Sequence, residues 1–351
     1  MKILFLCGRE PEYVRNQIIL KSLKKNYEVI EITDASKSFF LRNAKVILKF
    51  IANLKRFDLA FIGFYGQPLM LIVKPLIRKP IIFDAFLSSY DTLCFDRKIF
   101  KPRSVPGRFF YWLDKYSCKA ADHVLLDTQA HIDYFVKTFK LPKKKFNKLY
   151  VGCDEDVFYP RSTNPKNGPF TVLYYGSFLP LQGIEYIVKA AKLLEKDRDI
   201  KFKIIGRGME YSKIRKLAQA INVTNVEFIE WIPYTQLPIE ISKAFLCLGG
   251  HFSGIDKAKR VIAGKTFQFI AMKKPTIVSD YGANRELFTH KENVYMCRGA
   301  DELDLASAIL ELKSHKNLRE KIAQGGYQLF MNKCNSDVTA NKLQGILGAS
   351  L

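Results

Sequence analysis

Four cations, Lys257, Lys259, Arg260 and Lys265, fall within a few helical turns of one another, in the stretch from Gly249 to Glu286 that reads GGHFSGIDKAKRVIAGKTFQFIAMKKPTIVSDYGANRE. A glycine-rich loop leads into them. Thr266–Met272 then reads as an apolar helix and Thr276–Val278 as a short buried strand. Cations and free backbone amides at a helix start form an anion pocket, and one of this size suits a nucleoside diphosphate. The same charges also fit a solvated basic loop beside an ordinary strand–helix unit.

The elements that must position this group alternate along the whole chain, as they do in a parallel sheet covered by helices on both faces. In the first half, strands are expected at Lys2–Leu6, Tyr27–Ile32, Leu59–Gly63, Pro80–Asp84, His123–Asp127 and Lys148–Val151. Helices are expected between them at Val14–Leu23, Ser38–Phe57, Leu69–Leu76, Gly107–Ala120 and Ala130–Phe139. Pro, Gly, Asn and Ser break the alternation across Gly152–Pro169, as an interdomain linker would. It then resumes with strands at Thr171–Gly176, Lys201–Ile205, Val226–Glu230 and Phe245–Leu248, and helices at Gly183–Leu194, Ser212–Ala220, Asp304–Leu312 and Leu318–Phe330. The reading is two similar α/β doubly wound domains, and ligands of such pairs usually sit in the cleft at the carboxyl ends of the strands.

Composition agrees with a globular chain: 351 residues are long for one core, 48% are hydrophobic and 26% are charged. The formal net charge of +22 is uneven, with 28 basic and 13 acidic residues up to Tyr150. Nucleic acid, an anionic membrane surface or a phosphorylated substrate could each answer to that excess. No apolar run is long enough to span a bilayer, and the N-terminus MKILFLCG reads as a strand and a glycine turn rather than a signal peptide. Seven scattered cysteines without a CxxC pair argue against a disulfide framework or a zinc site and for a reducing cytoplasm.

The segment FLRNAKVILKFIANLKRF within Ser38–Phe57 sets Leu41, Val46, Leu48, Phe50, Ile51 and Leu54 among Arg42, Lys45, Lys49, Lys55 and Arg56. It reads either as a packed helix with a solvated basic back or as an amphipathic helix lying in a membrane interface.

Several stretches together resemble the retaining glycosyltransferases of family four, the glycosyl transferases group 1. In the first half they are DAFLSSYDT from Asp84 to Thr92, DTQAH from Asp127 to His131, and Val151–Asp154 leading to Phe158 and Pro160. In the second they are YGSFLPLQG from Tyr175 to Gly183, IGRG from Ile205 to Gly208, and KAKRVI from Lys257 through Lys265 to Pro275. The resemblance implies the GT-B fold, two Rossmann-like parallel-sheet domains facing across a cleft. An acceptor-binding domain would span 1–158 with 332–351 returning to it, and a donor-binding domain 159–331. It also implies retaining, metal-independent transfer of a sugar from a nucleotide diphosphate sugar to a glycan, lipid-linked or other anionic acceptor. The sugar nucleotide is then a donor substrate and no cofactor is required. The setting is cytoplasmic, with the inner face of a membrane as the surface that the basic first half would meet.

Carried over residue by residue, the resemblance gives Arg260 and Lys265 the charge of the leaving diphosphate, joined by Lys257 and Arg207. Gly176, Ser177, Gln182 and Gly183 form the first donor loop, though relatives often carry Arg and Lys where Ser177 and Gln182 stand. Gln268 occupies the place of a ribose-binding glutamate and Arg260 that of its partner, with seven residues between them. A Gln amide still accepts a hydrogen bond, without the charge. Gly8 and Arg9 form the first strand-to-helix turn, and Trp231 and Ile232 either flank the base or fill core. Asp84 stands near where relatives have a histidine; it would orient an acceptor hydroxyl, take its proton, or only cap a turn. His131 reads as a structural residue.

Three other functions compete. A dinucleotide-dependent oxidoreductase or epimerase would need a G-x-G-x-x-G turn, whereas the first turn reads Cys7-Gly8-Arg9-Glu10-Pro11. A nucleic-acid-binding protein would explain the charge, but no such module is recognisable and no nucleic-acid partner is expected. A catalytically silent sugar-nucleotide binder would bind donor without transfer.

Overall fold

A computed structural model describes residues 1–8, 12–34, 36, 38–161 and 168–348. The chain divides into two compact units, one of residues 1–152 with 336–351 and the other of residues 153–335. Arg9 lies outside the described residues.

In the first unit the order is β1 (Lys2–Leu6), α1 (Val14–Asn26), β2 (Glu28–Ile32), α2 (Phe39–Ala52), β3 (Leu59–Ile62), α3 (Gln67–Leu76), β4 (Ile81–Asp84), α4 (Ser89–Asp91), α5 (Val105–Ala120), β5 (His123–Leu126), α6 (Gln129–Phe139) and β6 (Phe146–Lys148). The strands form one parallel sheet in the order β2-β1-β3-β4-β5-β6. Successive side chains of a strand point to opposite faces. Leu4 and Leu6 therefore join Val46, Phe50, Met70 and Phe135 on one face, and Ile3 and Phe5 join Ile19 and Leu23 on the other.

The second unit runs β7 (Phe170–Tyr175), α7 (Ile184–Leu193), β8 (Ile200–Ile205), α8 (Tyr211–Ala220), β9 (Val226–Ile229), α9 (Leu237–Lys243), β10 (Leu246–Gly250), α10 (Gly264–Ala271), β11 (Thr276–Ser279), α11 (Gly282–Arg285), β12 (Tyr295–Cys297), α12 (Glu302–Ser314) and α13 (Lys316–Lys333). Its parallel sheet has the order β12-β11-β10-β7-β8-β9. The last helix, α14 (Ser336–Gly348), packs on α1 in the first unit, where Leu343 and Leu347 are buried and Lys25 binds Asp337 at 2.6 Å.

Three local readings change. The long helix expected at Ser38–Phe57 stops at Ala52, because the chain turns at Asn53, whose amide donates to the Phe50 and Ile51 carbonyls. The strand expected at Lys148–Val151 lies earlier, where Phe146, Asn147 and Lys148 match Val124, Leu125 and Leu126 of β5 in register. Helix α9 and the three-residue β12 have no counterpart in the sequence reading. β12 is held by pairing along β11, from Ile277↔Tyr295 to Ser279↔Cys297, rather than by a pattern of its own.

The C-terminal end of β4 corrects the reading of Asp84. Its carboxylate is fully buried and gripped by Arg15 of α1, with Nε 3.0 Å from Oδ1 and 2.8 Å from Oδ2, and Nη2 2.8 Å from Oδ1. Arg15 Nη1 donates to the Leu149 carbonyl at 2.9 Å, and its guanidinium lies 4.7 Å from the centre of the Phe86 ring. Burial pushes the Asp84 carboxyl upward against the pull of Arg15. With both oxygens held by a fork of donors, Asp84 ties α1 to the sheet instead of presenting a base. One strand further, His131 Nδ1 lies 2.7 Å from Asp127 Oδ1, both residues buried under the first turn of α6. Replacing Arg15 alone by Met should leave a buried carboxylate unpaired and cost about 3–5 kcal/mol in urea unfolding. The double variant Arg15→Met/Asp84→Leu should recover most of that loss.

Candidate anion and nucleotide site of the second unit

The first strand of the second sheet, β7, lies between β8 and β10, so the connections leave it in opposite directions and a crevice opens at the carboxyl ends of β7 and β10. Two glycines make that crevice. Gly176 follows β7 at a φ of +147° and Gly250 ends β10 at a φ of +76°, both in the region that L side chains avoid. A Cβ at Gly176 would stand 3.1 Å from Lys265 Nζ. Gly206, at the end of β8, has its Cα so close to the Gly176 carbonyl that a Cβ would fall 2.0 Å from the oxygen.

Lys265 lies in the first turn of α10 and reaches back into this crevice. It is only 7% exposed. Its Nζ donates to Gln182 Oε1 at 2.6 Å, Gln182 Oε1 also accepts from the Tyr174 hydroxyl at 3.1 Å, and the ammonium stands 4.0 Å from the centre of the Tyr174 ring. Among the described residues no carboxylate forms an ion pair with it, and burial holds its ammonium well below the ordinary lysine range. A buried cation with one neutral acceptor and an aromatic face has donors left over for an anion.

Neighbouring groups fit that description. His251, just past β10, is buried, and its pKa is pushed down to about 3 by burial and by the nearby Lys265 and Lys257 charges. The imidazole is therefore neutral, bonded to the Val261 backbone, with Nδ1 lacking a hydrogen-bond partner among the described residues. Gln268 follows Lys265 by three residues on α10, so the two share a helix face. It is buried, and its Oε1 also lacks a partner among the described residues. The first turn of α10 has no side-chain cap, which leaves the Gly264 and Lys265 amides without intrahelical acceptors. Lys257 is buried in the loop before the helix, and Arg260 is half-buried with its amide donating to the Lys257 carbonyl at 3.0 Å.

The structure thus brings together Gly176, Gln182, Lys257, Lys265 and Gln268. Gly183, at a φ of +66°, closes the loop after β7 against the backbone of Phe252 and Ser253, and the Phe252 amide donates to the Gln182 carbonyl at 3.0 Å. Ser177 is exposed at the loop tip. Arg207 is placed differently from its expected role. Its side chain is exposed and paired with Glu230 at 3.1 Å, beyond β8 from Lys265. Trp231 is 75% exposed, which removes the core-filler reading, and Ile232 is half-buried. In the first unit Gly8 is buried against Asn43, and its carbonyl accepts from Arg42 Nε at 2.8 Å. Sequence reasoning missed Tyr174 and His251: an aromatic inside an apolar strand and a histidine after a glycine pair carry no motif, although both stand at strand ends. Two Asp-x-Asp spacings occur, Asp154–Asp156 and Asp197–Asp199. Asp197 is taken by Lys313 at 2.5 Å, and no group of three potential metal ligands converges among the described residues.

Two doubly wound parallel-sheet units in one chain are the layout of the GT-B fold class. HepE of Anabaena, solved in complex with UDP, superposes with a TM-score of 0.76 over 99% of this chain and 100% of its own at 13% identity. The family model described as glycosyl transferases group 1 matches residues 157–329, just under half of the chain and nearly all of the second unit. An uncharacterized glycosyltransferase of Methanocaldococcus jannaschii is 23% identical over 228 residues, 64% of this chain and 58% of that protein. The alpha-D-kanosaminyltransferase of Streptomyces kanamyceticus is 22% identical over 274 residues, 74% of this chain and 67% of its own. The matched stretch is therefore under two thirds of the archaeal relative's length.

Burying Lys265 without a counter-ion sets a pH dependence. Because its folded pKa lies below its unfolded value near about 10.4, the unfolded chain binds the extra proton between the two values. Stability from this group then rises with pH across that window and falls as pH drops through it. Lys265→Met should remove this slope and raise the melting temperature of the ligand-free protein most at the acidic end. An identical pH dependence of melting in the two proteins would refute the assignment.

Proposed function

We propose that this protein is a retaining glycosyltransferase that moves a sugar from a nucleoside diphosphate sugar to a glycan, lipid-linked or other anionic acceptor. The observation that carries the reading is the Lys265 ammonium, buried at the switch point without a carboxylate. As the glycosidic bond breaks, negative charge grows on the departing diphosphate, and a cation already held in a low-dielectric crevice stabilises it without reorganisation. In this reading Lys265, with Lys257, Arg260 and the first amides of α10, does what a divalent metal does in other transferases. Gln268 Oε1 accepts from a ribose hydroxyl, and the neutral His251 offers Nδ1 to a hydroxyl of the donor.

Asp84 is locked to Arg15, so the base at hand for the acceptor proton is the departing phosphate oxygen itself. The first unit receives the acceptor, and its excess of cations sets the enzyme on the cytoplasmic face of a membrane. That the HepE structure holds UDP supports a uridine nucleotide as the first donor base to test.

Thermal-shift and calorimetric titrations with UDP, GDP, ADP and dTDP, in chelator, test the donor site. One nucleotide family should stabilise the protein. Lys265→Ala should weaken that binding by about 1.5–3 kcal/mol, the scale of a hydrogen bond to a charged group, and lower transfer with it. Gln268→Glu should keep or raise affinity, since a carboxylate accepts the same ribose hydroxyls. No response to any nucleoside diphosphate would overturn the reading, and nucleotide binding with neither transfer nor donor hydrolysis would leave a silent binder.

A further inference from the structure

Helices α2, α3, α5 and α6 line one face of the first sheet. α2 buries Val46 and Phe50 there, α3 buries Met70 and Val73, and α5 buries Cys118, all in one core cluster. α3 packs between its neighbours, touching both α2 and α5. Because these helices turn their buried sides to the same sheet face, their outer sides look the same way.

Those outer sides are not polar. Along α5, Val105, Phe109 and Trp112 recur at the spacing of one helix face, opposite the buried Gly107 and Asp114, and are 82%, 49% and 50% exposed. On α2, Leu41 and Leu48 lie two turns apart, opposite Val46 and Phe50, with Leu48 68% exposed. The back of α2 is thus not merely basic and solvated.

The charge around these side chains has one sign. From Arg97 to Lys119 the only acidic residue is Asp114, which is buried and accepts from the Ser88 hydroxyl and the Tyr90 amide, while Lys98, Lys101, Arg103 and Arg108 are exposed. Neither α2 nor α3 contains an acid. Lys45 and Lys49 of α2 have Asp34 at 3.9 and 4.0 Å, so α5 and the loop before it carry the more open charge.

We propose that this outer helical face, centred on Phe109 and Trp112 of α5, docks on the surface of an anionic lipid bilayer. Aromatic and aliphatic tips enter the boundary between headgroups and acyl chains, and lysine and arginine heads remain at the phosphates. No helix among the described residues is long and apolar enough to cross a membrane, so the contact is one of lying on the surface. This deepens the membrane placement proposed above, and its test uses no sugar nucleotide, so it can fail while the donor site stands.

The chain has two tryptophans, so Trp231→Phe in the full-length protein makes Trp112 the sole reporter. With vesicles of mixed phosphatidylglycerol and phosphatidylcholine, Trp112 emission should shift to the blue and be quenched by brominated acyl chains. Pure phosphatidylcholine should do neither. Phe109→Ser combined with Val105→Ser should lower the vesicle partition coefficient at least about tenfold, as loss of two buried apolar side chains implies. Arg108→Gln with Lys101→Gln should lower it and flatten its salt dependence, whereas Leu193→Ser, an exposed apolar change in the second unit, should not. Melting curves identify any variant that fails to fold. No sedimentation with anionic vesicles, equal binding to neutral ones, or sedimentation with Trp112 emission unchanged would each overturn the proposal.

Discussion

A lysine ammonium taken out of water, with no carboxylate paired to it among the described residues, is the constraint around which the second unit is arranged. Such a charge is costly unless something nearby offers electrons. Here that is one amide oxygen, Gln182 Oε1, and the face of Tyr174. Each belongs to a different part of the β7 connection, Tyr174 to the strand and Gln182 to the loop after it. The loop can hold its shape only because Gly183 lets it lie against Phe252 and Ser253. His251 is kept neutral first by its own burial and then by Lys265 and Lys257, which would repel a third cation beside them.

The first unit solves the opposite problem. The carboxylate of its buried Asp84 is met by the Arg15 fork, and the pair spans α1 and β4. The two units share a sheet design yet differ at their strand ends: Asp84 is met by a buried cation, whereas Lys265 is met by an amide oxygen and an aromatic face. A charged side chain at a strand end acquires its role from what faces it rather than from its position.

Much of the fold was legible because strand and helix periods differ and both sheets are built from consecutive β–α steps. Strands such as Lys2–Leu6 and Leu59–Ile62 are short apolar runs between turn residues, and nothing else suits such runs. β12 was not legible, because its three residues are strand only by pairing with β11. In the site, Lys265 and Gln268 could be grouped from their spacing on one helix. The Tyr174 contact, the open Nδ1 of His251 and the capture of Asp84 by Arg15, 69 residues away, are tertiary outcomes without a local signature. Arg207 shows the same limit in reverse: its place after β8 suggested an anion ligand, whereas its exposed side chain pairs with Glu230, just past β9.

The docking of α14 on α1 bears on how the chain acquires its structure during synthesis. One face of the first sheet, with Ile3, Phe5 and Phe61, is closed by α1 together with Leu343 and Leu347 of α14. A ribosome making the chain from its amino end must finish residues 153–335 before those two leucines exist. Until then, the first unit carries an incompletely covered apolar face, the kind of surface that chaperones recognise in nascent chains. The second unit has no such debt to later sequence, since all its strands and helices are contiguous. The unit whose synthesis starts second is therefore free to complete its own core first.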